Sequence, residues 1–85
     1  MTIEVRFFAA LRERVGNDSM TVSPPASVDT VARLADWLAG QDSQVARALE
    51  ATPRRMVAVN EVLGTEDSPV ADGDVVALFP PVTGG

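Results

Sequence analysis

The chain opens with an alternation of apolar and polar residues that is typical of a half-buried β-strand. Ile3, Val5 and Phe7 share one face of this strand, and the residues between them are polar. Phe8 breaks the alternation by placing a second aromatic ring on the opposite face. We expect Phe8 either to lie under a short helix over Ala9 to Val15 or to be exposed for a partner.

A second alternating strand and a longer helix follow. Met20 and Val22 mark the strand, and its local connection to the first strand predicts an antiparallel pair. Apolar residues then recur at helical spacing over residues 28–38. Ser27 is a good N-cap residue and Gly40 a common helix terminator, so we expect the helix to begin after Ser27 and to end at Gly40.

The second half of the chain predicts one short helix followed by three strands. Residues 45–49 predict a second helix, and Met56 to Val59 and Val62-Leu63 predict two short strands about an Asn60-Glu61 turn. Val75 to Phe79 predicts the last strand. The order predicts an α+β domain in which the main helix packs on one face of a mixed sheet.

The two faces of the last strand predict different environments for their side chains. Val76 and Leu78 share one face, and Phe79 lies on the other. If Leu78 points into the core, Phe79 points outward beside the tail and would anchor a partner. The alternative is that Phe79 covers the edge of the core.

Composition excludes most familiar catalytic sites. The 85 residues contain no cysteine and no histidine, and all seven basic residues are arginine, so thiolate, imidazole and lysine-amine chemistry lose their residues. The net charge of −5 argues against nucleic acid as a partner and favours a partner with a basic face, or serves solubility alone. Without an apolar run that could span a bilayer or a signal-type N-terminus, we expect a cytoplasmic protein with no membrane partner.

The sequence closes on a diglycine that has two interpretations. Gly84 and Gly85 are typical of a loose terminus, but they would also pass a channel too narrow for side chains, and a glycine carboxylate is an unhindered acyl group. Pro80 and Pro81 either pre-extend the tail or only terminate the last strand. Fully extended, residues 80–85 would reach about 20 Å.

Several segments together carry a family resemblance. They are Val5-Arg6-Phe7-Phe8-Ala9, Leu11-Arg12-Glu13, Val15-Gly16, Ala58-Val59-Asn60 with Leu63, Asp72-Gly73-Asp74, and Phe79-Pro80-Pro81-Val82-Thr83-Gly84-Gly85. The chain resembles from end to end the small, sulfur-carrying subunits of molybdopterin synthase, a ubiquitin-like β-grasp family. The last segment is the most specific. The resemblance implies a β-grasp domain over residues 1–79 and a flexible, extended C-terminal tail over residues 80–85.

The resemblance also implies a carrier and not a catalyst. In the family, a ubiquitin-activator-like enzyme uses ATP to adenylate the terminal glycine, here Gly85, and a sulfur donor system converts it to a thiocarboxylate. The sulfur then passes to cyclic pyranopterin monophosphate in the large catalytic subunit of a heterotetramer, where it builds the molybdopterin dithiolene. The family implies no permanently bound cofactor and no metal site.

By the same resemblance, particular residues receive roles. Gly84 and Gly85 carry the chemistry, and the tail residues that enter the partner are Pro80, Pro81, Val82 and Thr83. The residues that dock the large subunit are Phe8, Arg12, Leu63 and Phe79, although Leu63 taken alone also suits a core position. The family often has a lysine before the third strand, where this chain has Arg54-Arg55, so a role that needs a lysine amine there is in doubt.

Three other functions remain open. A thiamine-pathway sulfur carrier shares the fold and the diglycine, but is generally shorter and lacks the Phe-Pro-Pro-Val-Thr ending. A carrier for RNA thiolation, or a protein-conjugating modifier, shares the activation chemistry. The last alternative is a β-grasp binding module whose tail is inert.

Overall fold

Residues 1–81, the part that the computed structural model describes, form five strands and three helices. In chain order these are β1 Ile3–Phe7, α1 Ala9–Val15, β2 Ser19–Val22, α2 Val31–Gln41, α3 Ser43–Ala51, β3 Met56–Val59, β4 Val62–Gly64 and β5 Val75–Phe79. The predicted α+β class and the predicted strands are confirmed. None of these three helices is long and apolar enough to cross a membrane.

The strands form one mixed sheet in the order β2-β1-β5-β3-β4. β1 runs parallel to β5, and the other neighbouring pairs are antiparallel, including the predicted pairing of β1 with β2. Parallel neighbours end at the same edge of a sheet. The residues that follow β1 and β5, Phe8 and Pro80, therefore start from the same edge.

One face of the sheet is covered by helices and holds the core. Its strand residues are Ile3, Val5, Phe7, Val57, Val76 and Leu78, each no more than 2% exposed. Val31, Leu34 and Leu38 of α2 belong to the same core, at the helical spacing that the sequence indicates. Val76 and Leu78 thus point inward, which leaves Phe79 on the opposite, open face.

The predicted start of the main helix is wrong. α2 begins at Val31, and its N-cap is Thr30, whose side-chain oxygen accepts a hydrogen bond from the Arg33 backbone N–H at 3.2 Å. The chain before it pairs instead with a distant loop, because Thr30 forms a β-bridge with Pro69. The same loop supplies hydrogen-bond acceptors to the first turn of α2, since the backbone carbonyl of Ser68 accepts from the Val31 N–H at 3.0 Å. These tertiary hydrogen bonds replace the local cap that Ser27 would have supplied.

The predicted helix end at Gly40 is also wrong. α2 continues through Gly40 to Gln41, and the Asp42 N–H donates to the carbonyl of Leu38 at 3.0 Å. The Asp42 carboxylate then caps α3 by accepting from the N–H groups of Gln44 and Val45. One residue thus ends α2 and starts α3, so the break needs no left-handed glycine.

The predicted turn between β3 and β4 is confirmed. Asn60 and Glu61 both have left-handed backbones, with φ of 50° and 69°, as a tight two-residue hairpin requires. The Asn60 amide also donates to the Asp74 carboxylate at 3.0 Å and accepts from the Val75 N–H at 2.9 Å. The turn is therefore tied to the start of β5, which supports the register of β3 against β5.

Candidate functional site

The root of the C-terminal tail lies at one corner of the sheet. β5 ends at Phe79, and the Phe8 N–H donates to the carbonyl of Leu78 at 3.2 Å. Pro80 is half-buried and Pro81 is exposed. The remaining predicted tail residues, Val82, Thr83, Gly84 and Gly85, lie outside the residues that the structure describes. We call this corner, where the described residues end, the tail root.

Two aromatic side chains meet at this corner. The rings of Phe8 and Phe79 pack edge to face, with centroids 6.4 Å apart and planes at 89°. Phe8 is 44% exposed, so of its two predicted environments, under the short helix or exposed, it occupies the exposed one. Ala9, with φ of 53°, turns the chain from β1 into α1 directly after Phe8. A left-handed alanine is strained, so the packing of β1 and α1 must hold this turn in place.

The strand register extends this pair into a larger apolar surface. Met56 lies opposite Phe79, and Ala58 lies opposite both Ala77 and Leu63. Leu63 is 68% exposed, which excludes a core position for it. We call the four large side chains the open-face patch: Phe8, Met56, Leu63 and Phe79. Phe8, Met56 and Leu63 are exposed and Phe79 is half-buried. Large apolar side chains exposed on one face of a sheet are typical of a protein-binding surface.

Met56 is the member of this patch that sequence reasoning missed. Its side chain is 38% exposed, and it faces Phe79 across the strand pair. The β3 alternation does put Met56 and Ala58 on the face opposite Val57. Only the pairing of β3 with β5 shows that this face is the one that carries Phe79.

Arg12 borders the patch from α1. Its backbone N–H donates to the carbonyl of Phe8 at 3.4 Å, so its side chain starts one helical turn beyond that ring. The Arg12 Nε lies 3.9 Å from the Asp18 carboxylate, and both side chains are exposed. The predicted docking residues Phe8, Arg12 and Phe79 are thus brought to one corner, and Leu63 extends the surface across the sheet.

The arginines that stand where the family often has lysine are used differently from each other. Arg55 is largely buried, donates to the carbonyls of Leu49 and Thr52 at 3.3 and 3.2 Å, and forms an ion pair with Glu66 at 3.2 Å. Its guanidinium therefore closes the C-terminus of α3 and ties it to the loop after β4. Arg54 is exposed.

The described residues offer a binding surface. Within residues 1–81, no group of three or more acidic side chains is placed to hold a metal ion. Cysteine and histidine are missing from the whole sequence. What this part of the chain can do chemically is to bind an apolar partner surface beside the tail root.

Comparison with known proteins identifies relatives that match nearly the whole chain. The model of the ThiS family matches residues 5–85. The molybdopterin synthase sulfur carrier subunit of Escherichia coli (strain K12) is 47% identical over 83 residues, which cover 98% of this chain and 99% of that protein. Small archaeal modifier protein 3 of Haloferax volcanii is 38% identical over 94 residues and is covered completely, as is this chain.

A solved structure gives the same picture of the fold. The complex of subunits 1 and 2 of molybdopterin-converting factor from Helicobacter pylori 26695 contains a chain with a TM-score of 0.65 and 28% identity, and each chain is covered over 100% of its length. The predicted ubiquitin-like β-grasp fold is thereby confirmed. The complex also shows that a protein of this shape is found together with a second subunit.

Proposed function

The chain belongs to the ThiS family, and on that premise we propose that it is the sulfur carrier subunit of molybdopterin synthase. The observation that carries the proposal is its 47% identity, over nearly the whole of both chains, to the Escherichia coli protein of that name. The open-face patch supports it, because a carrier must dock beside the root of the tail that it delivers.

The proposed reacting group is the carboxylate of Gly85. A carboxylate is a poor electrophile, so one of its oxygens first attacks the α-phosphorus of ATP, which forms the acyl-adenylate and releases pyrophosphate. A sulfur nucleophile from a donor system then displaces AMP, and the acyl carbon exchanges its oxygen bond for a carbon–sulfur bond. The thiocarboxylate sulfur then forms a bond to a carbon of cyclic pyranopterin monophosphate as a carbon–oxygen bond of that substrate breaks. Water hydrolyses the resulting thioester, which leaves the sulfur on the pterin and returns Gly85 to a carboxylate. The carrier needs no cysteine for this cycle.

Delivery depends on the tail and on the docking corner together. We propose that Phe8, Leu63 and Phe79 dock the large catalytic subunit and that Arg12 adds a polar contact. Residues 80–85 would then reach about 20 Å from the corner into the partner's active site. Gly84 and Gly85 would fit a channel that excludes side chains, and the prolines would lower the entropy lost on insertion.

In this proposal the chain is not a catalyst by itself. The large subunit supplies the active site, and a ubiquitin-activator-like enzyme supplies the ATP chemistry, so no cofactor is permanently bound to the carrier. The described residues are consistent with this division, because they present a binding surface next to the tail root.

The test of the proposal is intact-mass analysis after incubation with the adenylating enzyme of the same organism, ATP and a sulfur donor. We expect a mass increase equal to the replacement of one oxygen by sulfur, located at Gly85 by fragmentation. A variant lacking Gly84 and Gly85 should fold normally but show no increase, and a variant extended beyond Gly85 should behave likewise. An unchanged mass of the full chain with an active enzyme would refute the carrier function.

A second candidate function is protein modification. It is favoured by the 38% identity to small archaeal modifier protein 3 of Haloferax volcanii. A modifier would form isopeptide bonds to lysines of other proteins, and this chain itself offers no lysine as an acceptor. Covalent adducts on target lysines would support the modifier, whereas restored molybdopterin synthesis with the matching large subunit supports the carrier.

A further inference from the structure

Arg6 is the charged residue in a row of the open face whose other members are uncharged. It lies opposite Ser19 of β2 on one side and opposite Ala77 of β5 on the other. The row then continues through Ala58 to Leu63 of the open-face patch. Along β1, Arg6 comes two residues before Phe8. A partner that covers the patch therefore also covers the Arg6 guanidinium.

Arg6 and Arg12 line the same cleft beside the patch. The cleft encloses about 470 Å³, and its walls include Phe8, Glu4 and Asp18. The side chains of Arg6 and Arg12 are 50% and 52% exposed. Two guanidinium groups and an aromatic ring thus face a space large enough for a side chain of another protein.

Most hydrogen-bond donors of these two guanidinium groups are unused in residues 1–81. Arg6 donates through Nε to Glu4, and the 3.9 Å separation of Arg12 from Asp18 is too long for a hydrogen bond. Each guanidinium carries about five N–H donors in a planar fork that suits a carboxylate. Both ion pairs are exposed and therefore weak, so they can rearrange when a partner docks.

From this geometry we infer that the cleft receives a carboxylate side chain, Asp or Glu, of the large catalytic subunit, and that Arg6 and Arg12 bind it together. The inference rests on the proposed function, and it adds Arg6 as a residue that selects the partner. Docking of the patch removes water from the cleft, which strengthens the interaction of charges inside it. Arg6 and Arg12 offset the charges of Glu4 and Asp18 in the cleft, so an incoming carboxylate competes with these two for the free guanidinium donors, whereas the net charge of −5 repels it over most of the surface.

The test is a binding titration of the full-length carrier with the large subunit of molybdopterin synthase from the same organism, at low and high salt. We expect Arg6→Gln and Arg12→Gln each to weaken binding by about three- to tenfold at low salt. The double variant should weaken binding by less than the product of the two single-variant factors, because both arginines bind one carboxylate. All of these losses should shrink at high salt.

Arg33 provides a matched control. It lies on α2 over the covered face, and its ion pair with Asp29 at 3.4 Å is as exposed as those in the cleft. Arg33→Gln should change the affinity by less than about twofold. If Arg6→Gln behaves like Arg33→Gln while the wild type binds, the inference is overturned and the proposed function stands. If the wild type does not bind at all, the proposed function fails and the inference fails with it.

Glu4→Gln gives a readout of opposite sign. Glu4 pairs with Arg6 in the free chain and would compete with the incoming carboxylate. Its neutralisation should therefore tighten binding by about two- to threefold, whereas simple disturbance of the strand would weaken it. Weaker binding of the Glu4→Gln variant would contradict a carboxylate in this cleft. In the wild-type complex, the Nε–H signals of Arg6 and Arg12 in NMR spectra should shift, and unchanged signals would also overturn the inference.

Discussion

The two faces of the sheet use the same kinds of side chain for different purposes. On the covered face, Phe7 and Leu78 are at most 1% exposed and pack under the helices. On the open face, Phe8 and Leu63 remain in contact with solvent. Phe7 and Phe8 are adjacent in sequence, and only the strand's alternation separates them.

The difference teaches which property each apolar residue controls. Burial on folding stabilises the domain, so truncation on the covered face should lower the free energy of unfolding. Area that stays exposed in the free chain can be buried only when a partner binds. Truncation on the open face should therefore lower affinity and leave the fold almost unchanged.

The largest effect is expected from a leucine on each face. Leu78→Ala should lower the free energy of unfolding by about 2–5 kcal/mol, because it leaves a cavity in the core. Leu63→Ala should change it by less than about 0.5 kcal/mol. Urea denaturation of both variants measures the contrast. Equal losses would mean that the two faces are not divided as described.

The next effect is expected at the tail root. Phe79→Ala should weaken binding of the large subunit by about 10- to 100-fold, because a central aromatic anchor is lost. Its free energy of unfolding should fall by only about 1 kcal/mol, the value of the edge-to-face contact with Phe8 plus a little half-buried area. Calorimetric titration and urea denaturation give the two numbers. A loss confined to stability would remove Phe79 from the docking surface.

A smaller effect is expected at the start of α2, which packs on the covered face. Thr30→Ala should destabilise the domain by about 1 kcal/mol, since Thr30 caps α2. Ser27→Ala should have almost no effect, although Ser27 is the cap that the sequence predicts. Thermal denaturation of this pair decides between the two helix starts, and a larger loss for Ser27→Ala would restore the earlier start.

The smallest effect is expected at the border of the open-face patch. Met56→Gln should weaken binding of the large subunit by about threefold, because Met56 flanks the Phe79 anchor. Val62→Gln is the control: Val62 is equally an exposed apolar residue, but it pairs with Val59 on the side of the sheet that carries the core. Indistinguishable affinities of the two variants would show that Met56 lies outside the docking surface.

Much of the fold could be predicted from local pattern, and the failures lie at the two ends of α2, of which the C-terminal end is set locally by Asp42. The strands and the turn at Asn60 follow from alternation and turn chemistry. The start of α2 could not be predicted, because residues 65–70 supply its first hydrogen-bond partners from more than 30 positions away. The sequence allowed both a buried and an exposed position for Phe8 and for Leu63. The packing of the helices on the opposite face of the sheet leaves both exposed.

The sequence by itself determined the strands, the division of each strand into two faces, and the absence of thiol and imidazole chemistry. It also singled out Phe8, Leu63 and Phe79, although not as one surface with Met56. Only the tertiary structure decided which face the helices cover and which residues meet at the tail root. The physical reason is that alternation along a strand identifies two faces but does not show which of them is buried. The parallel pairing of β1 with β5 and the register of β3 on β5 bring together residues that are distant in sequence.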